Sequence, residues 1–175
     1  RYSGERDSQT ERYIQPMLNA ACYLEEGANR ITLFNDCGNN VAKSLPALVK
    51  VCKRNFDITP EYRASFDDSG YYIFKQNGWK LVVDAGQPGP AYNSGHAHCD
   101  AGSFELFKEG RPIIVNSGTF AYQCADRSFF RSTAAHNTVM IDDIEQSQVW
   151  GTFRMARRSK TVVNSIDDAG ISMTI

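Results

Sequence analysis

The chain has 175 residues, 42% apolar and 22% charged, which suits a soluble globular protein of one domain or one domain plus part of another. A net charge of −1 excludes a broadly basic surface for nucleic acid, so any acidic polymer would have to be met by local Arg and His. No run is long and apolar enough to span a membrane, and residues 1–7 lack the pattern of a secretory signal.

In chain order, Ser8-Gln9-Thr10-Glu11 has the form of a capping box. Tyr13, Met17, Leu18, Ala21 and Leu24 come next at the spacing of one helix face, with Gly27 as the stop. Pro16 interrupts this pattern and predicts a kink, or a helix that starts near it. Residues 30–34 read as a short extended piece ending in the turn Asn35-Asp36. A second helix is marked by Leu45, Leu48, Val49, Cys52 and Phe56, with Pro46 in its first turn, where a missing N–H costs little. Residues 1–63 are thus expected to be helical, the end of a larger helical body docked on the C-terminal part of the chain.

From residue 64 the texture is that of strands. Segments 71–75 and 79–84 flank Gln76-Asn77-Gly78, and 104–107 and 112–115 flank Lys108-Glu109-Gly110-Arg111, so two hairpins are expected. Segments 138–141, 153–163 and 171–175 supply further strands. The fold class is therefore mainly β, an antiparallel sandwich over 64–175, and the strand-like ending predicts truncation inside it. The five cysteines, Cys22, Cys37, Cys52, Cys99 and Cys124, are odd in number and form no C-x-x-C, which disfavours a disulfide framework or a zinc ribbon.

The chemistry is concentrated. All three histidines lie in two polar clusters, His96-Ala97-His98-Cys99-Asp100 and Thr133-Ala134-Ala135-His136-Asn137-Thr138. His96, His98 and Asp100 would share one side of an extended backbone. Two histidines at i and i+2 with a distant third can supply most of a zinc shell, usually completed by a carboxylate. Cys99, between candidate ligands, is the cysteine with a chance of a role beyond packing.

Four motifs then occur in order: Ser69-Gly70-Tyr71-Tyr72; Gly95-His96-Ala97-His98-Cys99-Asp100-Ala101-Gly102-Ser103-Phe104-Glu105-Leu106; Gly110-Arg111-Pro112-Ile113-Ile114-Val115-Asn116-Ser117-Gly118-Thr119-Phe120-Ala121-Tyr122; and Arg127-Ser128-Phe129-Phe130-Arg131-Ser132-Thr133-Ala134-Ala135-His136-Asn137-Thr138. Together they resemble the heparinase II/III-like family of polysaccharide lyases, and residues 1–63 resemble the end of that family's (α/α) toroid. The resemblance implies β-elimination on an acidic, uronic-acid-containing polysaccharide, in the periplasm or outside the cell. It makes His96 the catalytic histidine and gives Tyr122 a place near the sugar, as acid or orienting group. It makes His98 and His136 ligands of zinc. The family's further ligand is typically an aspartate where this chain has Asn116, a neutral amide. That departure leaves open a weaker site, another cation, or recruitment of Asp100. Arg127 and Arg131 are candidates for sugar carboxylates or sulfates through their planar forks, or equally for surface or structural ion pairs.

The resemblance also implies that the family's acid/base tyrosine and its carboxylate-neutralising residue come from the toroid. The present chain by itself is then expected to be inactive. Two other readings compete. One is a carbohydrate-binding or structural sandwich whose His cluster is a metal staple. The other is a zinc hydrolase with Asp100 or Glu105 as base.

Overall fold

The structure is a computed structural model that describes residues 8–25, 30–39, 41–61, 63 and 65–175. Helix α1 (Ser8–Leu24) runs through Pro16 without ending there, so the start expected near Pro16 is not seen. The Ser8 side chain and Gly27, the expected cap and stop, lie outside the described residues. The buried side of α1 carries Leu18, Asn19 and Tyr23, whereas Tyr13 and Met17 are exposed, so the apolar face is rotated from the one the spacing predicted. Packing chose Tyr23 because it reaches the sheet below.

Helix α2 (Leu45–Phe56) begins with Pro46 in its first turn and ends at Asp57 in the left-handed region, whose N–H bonds back to the Lys53 carbonyl. The segment after α2 is tied to α1 by Asn19, whose Oδ1 accepts from the Glu61 N–H at 2.8 Å.

The main sheet is antiparallel and five-stranded in the order β1-β2-β3-β4-β5, formed by Ser65–Phe66, Tyr71–Gln76, Trp79–Asp84, Phe104–Lys108 and Arg111–Ile114. Both predicted hairpins are present. Their tips, Asn77-Gly78 and Glu109-Gly110, have positive φ at both central positions, the backbone that matches strand twist. Asn and Gly adopt it readily; Glu109 does so at φ 51°. One sheet face packs on the helical segment, where Tyr23 and Phe34 join Ile73, Val82 and Phe107 in a single core. Full burial of each such side chain is worth about 1.5–3 kcal/mol.

On the opposite side of the sheet, a ribbon of β8 (Val162–Asp167) and β9 (Gly170–Thr174) borders a groove of about 800 Å³ with Tyr72, Phe74, Trp79 and Leu81. A second ribbon pairs β6 (Gln148–Trp150) with β7 (Arg154–Ala156). The strand expected over 138–141 is reduced to a single bridge between Ile141 and Ile144. Asp142 and Asp143 both take positive φ, and this tight reversal leaves no length for a ladder. Likewise 153–163 is not one strand; β7 ends at Ala156 and β8 begins at Val162.

The long connection between β3 and β4 carries His96, His98 and Asp100. It starts where Gly70 crosses Gly86: a Cβ on Gly70 would lie 2.3 Å from the Gly86 Cα, so two glycines are needed for this approach. Far along the chain, Arg158 donates to the Pro90 and Ala91 carbonyls and Thr161 to the Gly86 carbonyl, fixing the loop from its other side.

Candidate functional site

The loop's position is set by a turn from the helical segment. Asn35, at φ 52°, donates its backbone N–H to Asp100 (3.1 Å) and its amide to Asp84 (3.3 Å), and its Oδ1 accepts the His98 N–H (3.2 Å). The next residue, Asp36, is nearly buried and forms the hub of the site. Its Oδ1 accepts from Nε2 of His98 (2.8 Å), from Thr119 (2.7 Å) and from Arg127, and its Oδ2 accepts from Nδ1 of His96 (2.8 Å) and again from Arg127 (2.9 Å). Thr119 reaches it because Gly118 permits close approach to the Cys37 carbonyl, 2.6 Å from where a Cβ would sit. Burial alone would raise the Asp36 carboxyl. Hydrogen bonds from His98, Arg127, Thr119 and His96 outweigh it and hold the group well below the usual carboxylate range.

An ionised carboxylate only accepts, so both ring nitrogens facing Asp36 carry hydrogen when the rings are neutral. For His98, fully buried, this leaves Nδ1 with its lone pair and no hydrogen-bond partner among the described residues. His136 is arranged the same way: Nδ1 meets Oδ1 of Asn116 at 2.8 Å, and buried Nε2 has no hydrogen-bond partner among the described residues. Burial, with the nearby His98, pushes the His136 imidazole down to about 3 against a smaller opposing effect of the Phe130 backbone, so it is neutral at physiological pH. The two rings lie 5.2 Å apart between centroids. One ligand atom from each of His98, Asp100 and His136 falls within 4.8 Å of the others, and all three residues are buried. Burial pushes the Asp100 carboxyl up, partly offset by His98, and a cation there would remove the cost of burying its charge. Two orphaned imidazole nitrogens beside a carboxylate form a donor set that fits a metal ion.

Asn116 faces the protonated side of His136 and donates to Ser103 (3.2 Å), the position of a group that orients a ligand rather than of a ligand itself. His96 stands outside the cluster. Its side chain is 63% exposed, and with Nδ1 held by Asp36 the opposite nitrogen, Nε2, is the one left for a ligand. Tyr122 and Phe153 complete an exposed rim: His96 lies 5.8 Å from Tyr122 and 5.7 Å from Phe153, and those two rings are 5.2 Å apart. On another side, His96 borders a groove of about 800 Å³ lined also by Asp67, Asp68, Tyr71 and Tyr92.

The arginines expected at the sugar face inward. Arg127 is buried against Asp36, with Tyr122 and Phe153 stacked over its guanidinium. Arg131 is fully buried and donates to the carbonyls of Ala97, Gly151, Thr152 and Arg154, so it clamps the loop and offers nothing to a ligand. Glu105 is sealed in the sheet, accepting the Leu33 N–H, too far inside to serve as a hydrolytic base. Cys99 is buried with its thiol on the Ser147 carbonyl and pushed up to about 11, chiefly by burial, which makes it a packing residue. Asp36, Thr119 and Phe153 were not singled out by the sequence. Asp36 lies 60 residues from the histidine it holds, and no spacing rule links them.

Comparison with known proteins identifies the family and the fold. The profile of the family described as heparinase II/III-like, C-terminal, matches residues 58–174. A heparin-sulfate lyase of Pedobacter heparinus is 32% identical over 89 residues, covering 45% of this chain and 13% of that protein. A heparin-sulfate lyase of Bacteroides stercoris is 33% identical over 95 residues, 48% of this chain and 14% of its own length. The chain therefore spans a small part of these relatives. Among solved structures, a heparinase III superposes with a TM-score of 0.70 at 19% identity, over 91% of this chain and 27% of that one. Heparan sulfate lyase HepC from Pedobacter heparinus gives 0.68 at 20% identity, over 92% and 27%. These likenesses establish the fold.

Proposed function

The chain belongs to the heparinase II/III-like family, and on that premise we propose that it forms part of a polysaccharide lyase acting on uronic-acid-containing glycan by β-elimination. The observation that carries this reading is His96: an exposed imidazole oriented through Nδ1 by an ionised Asp36, with Nε2 open to a ligand. This is the arrangement of a general base. Nε2 takes the C5 proton of the uronate, the C5–H electron pair forms the C4–C5 double bond, and the C4–O bond breaks. Tyr122, on the same rim, is placed to give a proton to the departing oxygen. Phe153 offers an apolar ring face to the sugar.

Making C5–H acidic requires neutralising the uronate carboxylate. The groove beside His96 has Asp67 and Asp68 on its wall and no Lys or Arg among its described lining residues. This supports the expectation that the chain alone is inactive and that another part of a longer protein supplies the neutralising group. His98, Asp100 and His136 would hold the ion, and zinc suits a set of two imidazoles and one carboxylate. At this depth it would supply rigidity, fastening the His96 loop to the segment around His136. A polymeric substrate does not cross membranes, which supports a periplasmic or secreted location.

The burial of the whole ligand set favours one alternative, a glycan-binding sandwich with a metal staple and no catalysis. Ultraviolet absorbance of the unsaturated uronate separates the two. A longer polypeptide carrying a helical domain ahead of this region is expected to generate product from an acidic glycan. His96→Ala is expected to slow it by about 10²–10⁴-fold. Turnover unaffected by His96→Ala contradicts the assignment, and absence of product from heparan sulfate, alginate and other acidic glycans supports the binding module.

A further inference from the structure

The two halves of the site are joined by one carboxylate. Asp36 presents Oδ1 to His98, whose other nitrogen is the orphaned one in the buried cluster, and Oδ2 to His96 on the exposed rim. Arg127 spans the same two oxygens, with Nη1 on Oδ1 and Nη2 on Oδ2, and is itself anchored on the Thr152 carbonyl. A simple buried ion pair would need Arg127 alone. Two imidazoles of opposite exposure on one carboxylate are more than such a pair requires.

We propose that Asp36 is a positioning residue that couples the metal centre to His96. Its carboxylate fixes His98 with hydrogen on Nε2, leaving Nδ1 for the ion, and fixes His96 with hydrogen on Nδ1, leaving Nε2 for the substrate. A cation on Nδ1 of His98 makes the opposite N–H a stronger donor and tightens its bond to Asp36. Because Arg127 and Thr119 prevent the carboxylate from rotating freely, that tightening is passed to His96. Metal binding therefore sets the orientation of a residue that does not touch the metal. The inference rests on reading the buried cluster as a metal centre.

The test is a titration of the chain with zinc chloride, monitored by nitrogen resonances of ¹⁵N-labelled histidine at about pH 8, where a free imidazole is neutral. Before zinc, His96 is expected to hold hydrogen on Nδ1, the less common tautomer of free histidine. Zinc is expected to shift His98 and His136 strongly and His96 with the same midpoint. In Asp36→Asn, zinc affinity should fall roughly 10- to 100-fold, and His96 should lose both its tautomer preference and its response. If that variant does not fold because Arg127 is left unpaired, the titration of the unaltered chain decides the matter. Zinc that moves His98 and His136 but leaves His96 unchanged, or moves it with a different midpoint, overturns the coupling while the metal centre stands. An Asp36→Asn chain that folds and binds zinc within about twofold of the original also overturns it. A titration that moves no histidine refutes the metal centre and the coupling together.

Discussion

His98 and His96 are two residues apart and bond the same aspartate, yet His98 is fully enclosed while His96 keeps most of its side chain in solvent. The buried half of the site consists of groups with fixed partners: His98, Asp100 and His136 face one another, and Arg131 grips the Ala97 carbonyl between the two histidines. The exposed half, His96 with Tyr122 and Phe153, is held at one end and open at the other. The contrast shows how one short motif can set one imidazole inside the fold and another at its surface. What assigns the role is which ring nitrogen is left with a free lone pair, and whether it opens inward or outward.

That contrast can be broken from either side. The largest effect should come from the buried half. Arg131→Ala removes a charged donor from the buried Ala97 carbonyl and from three part-buried ones, and is expected to cost on the order of 4 kcal/mol or more in urea unfolding. A loss below about 1 kcal/mol would mean that water replaces it and that the clamp is unimportant. Zinc should raise thermal stability next: at about 100 times its dissociation constant, linkage gives roughly 2.7 kcal/mol. His136→Ala should abolish that gain, and a chelator should reverse it. On the exposed half, Phe153→Ala is expected to cost about 1.5 kcal/mol, since its ring is only half-covered, and to weaken glycan binding seen by calorimetry. The smallest effect on stability belongs to His96→Ala, within about 1 kcal/mol because the bond it loses is part-exposed. It should nevertheless slow product formation by the longer polypeptide, and a large destabilisation would blur the two halves into one structural unit.

The sequence conveyed the antiparallel β character and both hairpins, because Asn77-Gly78 and Glu109-Gly110 carry local turn chemistry that tertiary packing had no reason to override. The approach of His136 to His98 was suggested by concentration of a rare residue in two polar clusters. The common direction expected for His96, His98 and Asp100 assumed an extended strand, but the segment is turns and bends, so His96 leaves the cluster. Asp36 was invisible for another reason. It sits in an ordinary Asn-Asp turn, and its meaning comes from contacts 60 to 91 residues away. Arg131 illustrates the reverse error: a cation near a polar cluster suggests a ligand contact, whereas fully buried arginine here satisfies backbone carbonyls. The predicted face of α1 failed similarly, since periodicity marks apolar residues without saying which of them the sheet will cover.

The most direct test of the divided site is anomalous scattering from crystals of the chain grown with zinc. One ion is expected about 2.1 Å from Nδ1 of His98 and from Nε2 of His136, with an Asp100 oxygen as a further ligand and His96 still on Asp36. An ion ligated by His96, or well-ordered crystals with no ion among the buried three, would contradict it.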